Sequence, residues 1–187
     1  MTAILDLPGV RQRVSRLSVE EYHRLDEFNE NGKRTEFIRG IVFEKMSKSP
    51  LHATIATRLF KLVLRVLPEG FTPRLEQPLT LADSEPEPDV SVARGQDSDF
   101  KRAHPTTAAL VVEISVGSAD LDRELAYLYA EAGVEEYWIV LGHEQATEVY
   151  RRPVNGEHQE KTMVGAGGTL ACASVPGVVV SLDELFA

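Results

Sequence analysis

The sequence predicts an α/β fold, a mixed β-sheet flanked by helices. Two apolar runs, residues 109–114 and 137–141, have the near-continuous hydrophobicity of strands buried on both faces. Between them Leu121, Leu125, Leu128 and Ala132 fall at helical spacing over about residues 119–132, and Gly133 closes the segment. The whole chain alternates helix, strands, helix, strands, helix, strands, which favours one sheet with helices packed on it.

The elements follow in order. Residues 1–16 read as a loosely attached arm and 17–187 as a single domain. Ser18 and Glu21 have the spacing of a capping box, so a short helix over about 19–28 should follow, ended by the turn residues 29–32. Residues 36–44 suggest two strands bent at Arg39 and Gly40, or one strand with a glycine bulge. Pro50 suits the first turn of a second helix, with Leu51, Ile55, Leu59, Leu62 and Val66 on one face. Pro73 and Pro78 break residues 71–81 into edge-like strand pieces. A short strand starts at Val90, and residues 94–108 read as a polar loop. Residues 147–150 should return from the 137–141 strand as a hairpin. Residues 159–164 form a further strand, ended by the glycine run 165–168. Ser181 caps a last helical turn over 182–186.

Composition bounds the function. The chain has 187 residues, 20 Lys and Arg against 29 Asp and Glu, and a net charge of −9. An acidic field repels phosphates, so nucleic acid would have to meet a local basic groove. The single cysteine, Cys172, forms no internal disulfide, and a bland buried thiol is the better reading. No apolar run reaches the length of a membrane span and the N-terminus lacks a signal peptide's pattern, so a cytoplasmic protein is expected.

Asp89 stands at the entrance of one strand and Glu113 inside another, 24 residues later. If those strands pair, both carboxylates meet at one place on the sheet. Isolated carboxylates in apolar strands are costly, and two together raise each other's proton affinity. A divalent cation resolves the conflict. The plainer reading is that Asp89 caps a turn and Glu113 pairs with an arginine.

Several segments carry a family resemblance. They are Pro88–Asp89–Val90, the strand with Glu113, the helix end from Tyr129 to Val134, and the following Glu136 to Val140. Arg34 to Gly40 and His52 extend it toward the N-terminus. Together, over about residues 17–187, the sequence resembles the Uma family of restriction endonucleases, within the PD-(D/E)xK nuclease superfamily. The resemblance implies a restriction-endonuclease-like mixed sheet. It implies that Asp89 and Glu113 are catalytic and bind Mg²⁺ or Mn²⁺, with the Ile114 carbonyl and Glu36 as further ligands. His52 is a candidate to contact a phosphate or support the metal shell, or equally a polar residue of the helix N-terminus.

The departure is the lysine. The resemblance implies that it stands on the helix after Glu113, four residues before Tyr129, where this chain has Leu125. Leu125 also lies on the apolar stripe. A site lysine orients water and stabilises charge growing on phosphate, worth roughly 10²–10³ in rate. Lys45, Lys48 and Arg123 are substitutes, though for each a solvated surface charge is the plainer reading. Arg58, Lys61 and Arg65 share a helical face and are the candidates for a DNA-facing surface, or equally the solvated side of an amphipathic helix. The expectation is therefore a metal-dependent DNA endonuclease, degenerate if nothing replaces the lysine. The alternative is a catalytically inactive binding or assembly protein on the same fold. By fold analogy a homo-oligomer is expected.

Overall fold

The computed structural model describes Gly9 and residues 13–26, 34–45 and 47–187. The arm expected over 1–16 and the turn over 29–32 fall mostly outside these. The described chain divides into two compact units. One takes Asp83–Glu85 and the described residues of Met1–Lys45; the other takes those of Met46–Ala82 and Pro86–Ala187.

In the first unit helix α1 spans Val19–Asp26. The capping box forms: Glu21 N–H donates to Ser18 Oγ (3.2 Å) and Ser18 N–H to Glu21 Oε2 (2.8 Å). Strands β1 (Thr35–Ile38) and β2 (Ile41–Glu44) pair antiparallel, so the bend makes two strands rather than one bulged strand. Arg39 (φ 51°) and Gly40 (φ 78°) both adopt the left-handed conformation that a two-residue hairpin of this twist requires.

The second unit opens with helix α2 (Pro50–Val66), whose N-cap Ser49 accepts from His52 N–H at 3.2 Å. Strands β3 (Phe71–Leu75), β4 (Val90–Arg94), β5 (Leu110–Ser115), β6 (Glu136–Leu141), β7 (Ala146–Val154) and β8 (Glu157–Val164) form a mixed sheet in that spatial order. Only β5 and β6 run parallel, because helix α3 (Asp120–Glu131) carries the chain back between them. The expected hairpin return is β7, longer than its apolar core because exposed polar residues continue the ladder with β8. The broken segment at residues 71–81 supplies β3, an edge strand as its prolines indicate. Strands β9 (Thr169–Ala171) and β10 (Val179–Ser181) pair separately, and helix α4 (Leu182–Phe186) follows its Ser181 cap.

The sheet is covered on both faces. Ile55, Leu59 and Val63 of α2 pack with Val112, Trp138, Val149, Val180 and Leu182, so α2, α4 and β10 share one face. On the other face Glu113, Ile139 and Glu148 stand in register across β5, β6 and β7, and α3 reaches that row through Tyr129 and Arg123. The helical stripes are buried at their centres only. Leu51, Val66 and Leu121 are exposed, because the helix ends run past the sheet.

Candidate functional site

The site lies where β4 begins. Register pairs Val90 with Val112, which brings Asp89, one residue earlier, alongside Glu113 and Ile114 of β5. The backbone amide of Ile114 donates to Asp89 Oδ2 at 2.8 Å. The backbone amide of Asp89 donates to Glu113 Oε2 at 3.2 Å, and the Tyr129 hydroxyl donates to Glu113 Oε1 at 2.7 Å. Two acids that the sequence separates by 24 residues are thus laced together by main-chain bonds at the end of the sheet. Asp89 accepts from a neighbouring strand rather than closing a turn of its own.

From α2 and the residues before it come two cationic or neutral donors. His52 Nε2 lies 2.9 Å from Asp89 Oδ2, and Lys48 Nζ lies 2.6 Å from Asp89 Oδ1. Lys48 also lies 3.1 Å from Glu76 Oε1. Burial works against an ionised Asp89, yet the hydrogen bond and charge of His52 and the Lys48 ammonium outweigh it and lower its pKa. His52 Nδ1 is buried with no hydrogen-bond partner among the described residues, so its Nε2 is the better place for a proton that Asp89 accepts.

Of the three substitutes for the missing lysine, Lys48 meets Asp89, one of the two joined acids. Its side chain is 19% exposed, so the surface-charge reading fails. Arg123 is committed elsewhere, donating from Nε (3.1 Å) and Nη2 (2.7 Å) to the buried Glu148. Lys45 pairs with Glu36 at 2.6 Å in the first unit, and there Glu36 sits on β1. Leu125 is buried on α3, one turn before Tyr129 on the same face. Chain order alone does not rank Lys48 above the other two, because its partners Glu76 and Asp89 are brought to it by the strand order.

The helical basic stripe is largely engaged in structure. Arg58 donates to the carbonyls of Leu185 (2.9 Å) and Ala187, and Arg65 to Glu184 Oε1 (2.8 Å), so both clasp α4. Lys61 shares a shallow surface depression with Thr54, Thr57 and Arg58. Tyr137 and Trp138 are wholly buried and offer no face to a base. Residues 165–168 form a turn, with Gly168 N–H donating to the Gly165 carbonyl at 3.0 Å. Among the described residues no group of three or more His, Cys, Asp or Glu side chains is arranged to hold a metal ion. No described helix is long and apolar enough to cross a membrane.

A mixed sheet with one parallel crossover, helices on both faces and two acids joined at its end makes up this α/β fold. The chain belongs to the Uma2 family, described as "Putative restriction endonuclease", whose pattern matches residues 19–183. Its fold matches the crystal structure of "a putative nuclease belonging to DUF820" from Anabaena variabilis, with a TM-score of 0.72 and 20% identity over 87% of this chain and 96% of that one. No curated protein matches.

Proposed function

We propose that the protein hydrolyses phosphodiester bonds in DNA with Mg²⁺ or Mn²⁺ held by Asp89, Glu113 and the Ile114 carbonyl. The observation that carries this reading is the junction of Asp89 with Glu113 and the Ile114 amide. The donor set suits a hard divalent cation, which takes one or two carboxylates and fills its remaining positions with water. The third donor is the main-chain carbonyl of Ile114. A bound cation of this kind supplies charge to the phosphate and acidifies a water molecule.

The chain's own residues prepare that chemistry. Asp89 is fixed by the Ile114 amide, so its carboxylate cannot swing away when DNA arrives. Tyr129 holds Glu113 from α3, on the opposite side of the sheet from α2. His52 keeps Asp89 ionised. In the overall reaction, one bond forms from water oxygen to phosphorus while one phosphorus–oxygen bond to a sugar breaks. Leu125 favours the alternative of an inactive nuclease fold; the ammonium of Lys48 beside Asp89 counts against it.

The test is cleavage of plasmid and single-stranded DNA with and without Mn²⁺. Wild type should cleave only with the cation, and Asp89→Ala should lose roughly 10³-fold or more. Cleavage that survives Asp89→Ala would overturn the site.

A further inference from the structure

We infer that Lys48 is the lysine of this site, supplied from the segment ahead of α2 in place of the side chain that Leu125 lacks. The inference rests on the nuclease reading for its catalytic part and on the contacts of Lys48 for the rest.

Position comes first. Lys48 directly precedes the N-cap Ser49, so the rigid start of α2 sets where its stem begins. Its ammonium lies 2.6 Å from Asp89 Oδ1 and 3.1 Å from Glu76 Oε1. An ammonium carries three N–H donors. Two are used on these carboxylates, and the third is left for a water or a non-bridging phosphate oxygen. The expected lysine would have come from α3, on the far face of the sheet. There Leu125 packs into the core one turn from Tyr129, which bonds Glu113. Lys48 reaches Asp89, the acid whose amide bonds Glu113, from the segment ahead of α2.

Glu76 supplies the second observation. It follows β3 with φ 51°, a left-handed conformation that a non-glycine residue adopts only at a cost. Its amide donates to the Asp89 carbonyl at 3.1 Å, so the backbone of one acid fixes the other. This strained turn aims the Glu76 carboxylate at Lys48. Glu76 is therefore a positioning residue, holding the ammonium beside Asp89 rather than letting it extend into solvent.

The chemistry needs no proton from Lys48. Its charge stabilises the negative charge that grows on the phosphate as the bond from water forms and the bond to the sugar breaks. The same charge also repels a divalent cation at Asp89. Lys48 therefore speeds the reaction while weakening cation binding, whereas a purely structural lysine at this distance would only weaken cation binding.

The experiment uses the full chain and the variant Lys48→Met, with Lys48→Gln as a second variant that keeps a polar end but no charge. Cleavage should fall roughly 10²–10³-fold. Mn²⁺ affinity by calorimetry should rise about tenfold, as the ammonium no longer opposes the cation. Recovery of cleavage on adding Leu125→Lys to Lys48→Met would support the exchange of one lysine position for the other. Cleavage within about twofold of wild type in both variants overturns the catalytic role and leaves the nuclease reading standing. A wild type that cleaves no DNA with any cation sinks the nuclease reading and the catalytic role with it. In that case unchanged Mn²⁺ affinity in both variants overturns the remaining part as well, whereas tighter binding upholds it.

Discussion

Glu136 and Asp89 are both buried acids of one sheet, and they sit at opposite ends of it. Glu136 opens β6 opposite Leu110, while Asp89 meets the far end of β5. Glu136 Oε1 accepts from Trp138 Nε1 (2.7 Å) and Arg151 Nη2 (2.9 Å). Its Oε2 accepts from the amides of Ala173 (2.7 Å) and Ser174 (3.4 Å). Its donors there are main-chain amides, planar groups on strands and the Cys172 thiol, whose Sγ lies 3.6 Å from Oε2. Asp89 instead has one main-chain donor, an imidazole, an ammonium and a neighbouring carboxylate. Burial of an acid alone does not mark a site. A site is marked by acids placed together with cations whose stems can move.

The largest test of that contrast is Glu136→Ala. It leaves Arg151 and two amides facing a void, and should cost about 3–5 kcal/mol of stability in urea unfolding. Mn²⁺ affinity should stay as in wild type. A variant that keeps its stability but loses cation binding would reverse the two roles.

A smaller effect is expected at Glu148, the third buried acid. Burial opposes its ionisation, but Arg123, Tyr150 and Lys161 together hold its pKa down to about 2. Because the folded value lies below the unfolded one, its contribution is present above the ordinary Glu pKa and lost as the pH falls toward 2. It should amount to on the order of 1–2 kcal/mol, reduced because Arg123 and Lys161 are about half exposed and screened. Glu148→Gln should flatten the acid limb of the stability–pH curve between about pH 4 and 2. An unchanged limb would show that Glu148 is as inert in folding as a surface acid.

The smallest test is chemical. Burial, then the charge of Glu136, pushes the Cys172 thiol up to about 11. At pH 8 it should react with a thiol reagent roughly 10²-fold more slowly than an unperturbed cysteine. In Glu136→Ala the reaction should speed up, so the thiol also reports whether that end of the sheet stays closed.

The sequence was most legible where apolar pattern alone sets structure. β5, α3 and β6 stand close to where their periodicity puts them, and Ser18 and Ser181 cap as read. β9 and β10 were not legible, because three-residue strands carry too little alternation to register. The pairing of Asp89 with Glu113 followed from strand adjacency. The identity of the lysine did not: Lys48, Lys45 and Arg123 are equal in composition and differ only in which acid the fold brings to each. Nor could periodicity separate Glu113 from Glu136, two acids beside similar apolar runs that end in opposite environments.

The outer strands of the sheet carry a further consequence. β3 contains Pro73, which removes a donor from one border, and β8 lines the other with Glu157, His158, Glu160 and Lys161. Neither border offers a neighbouring molecule a smooth, uncharged ladder to extend. Continuation of this six-stranded sheet into a second copy is therefore disfavoured at both of its borders.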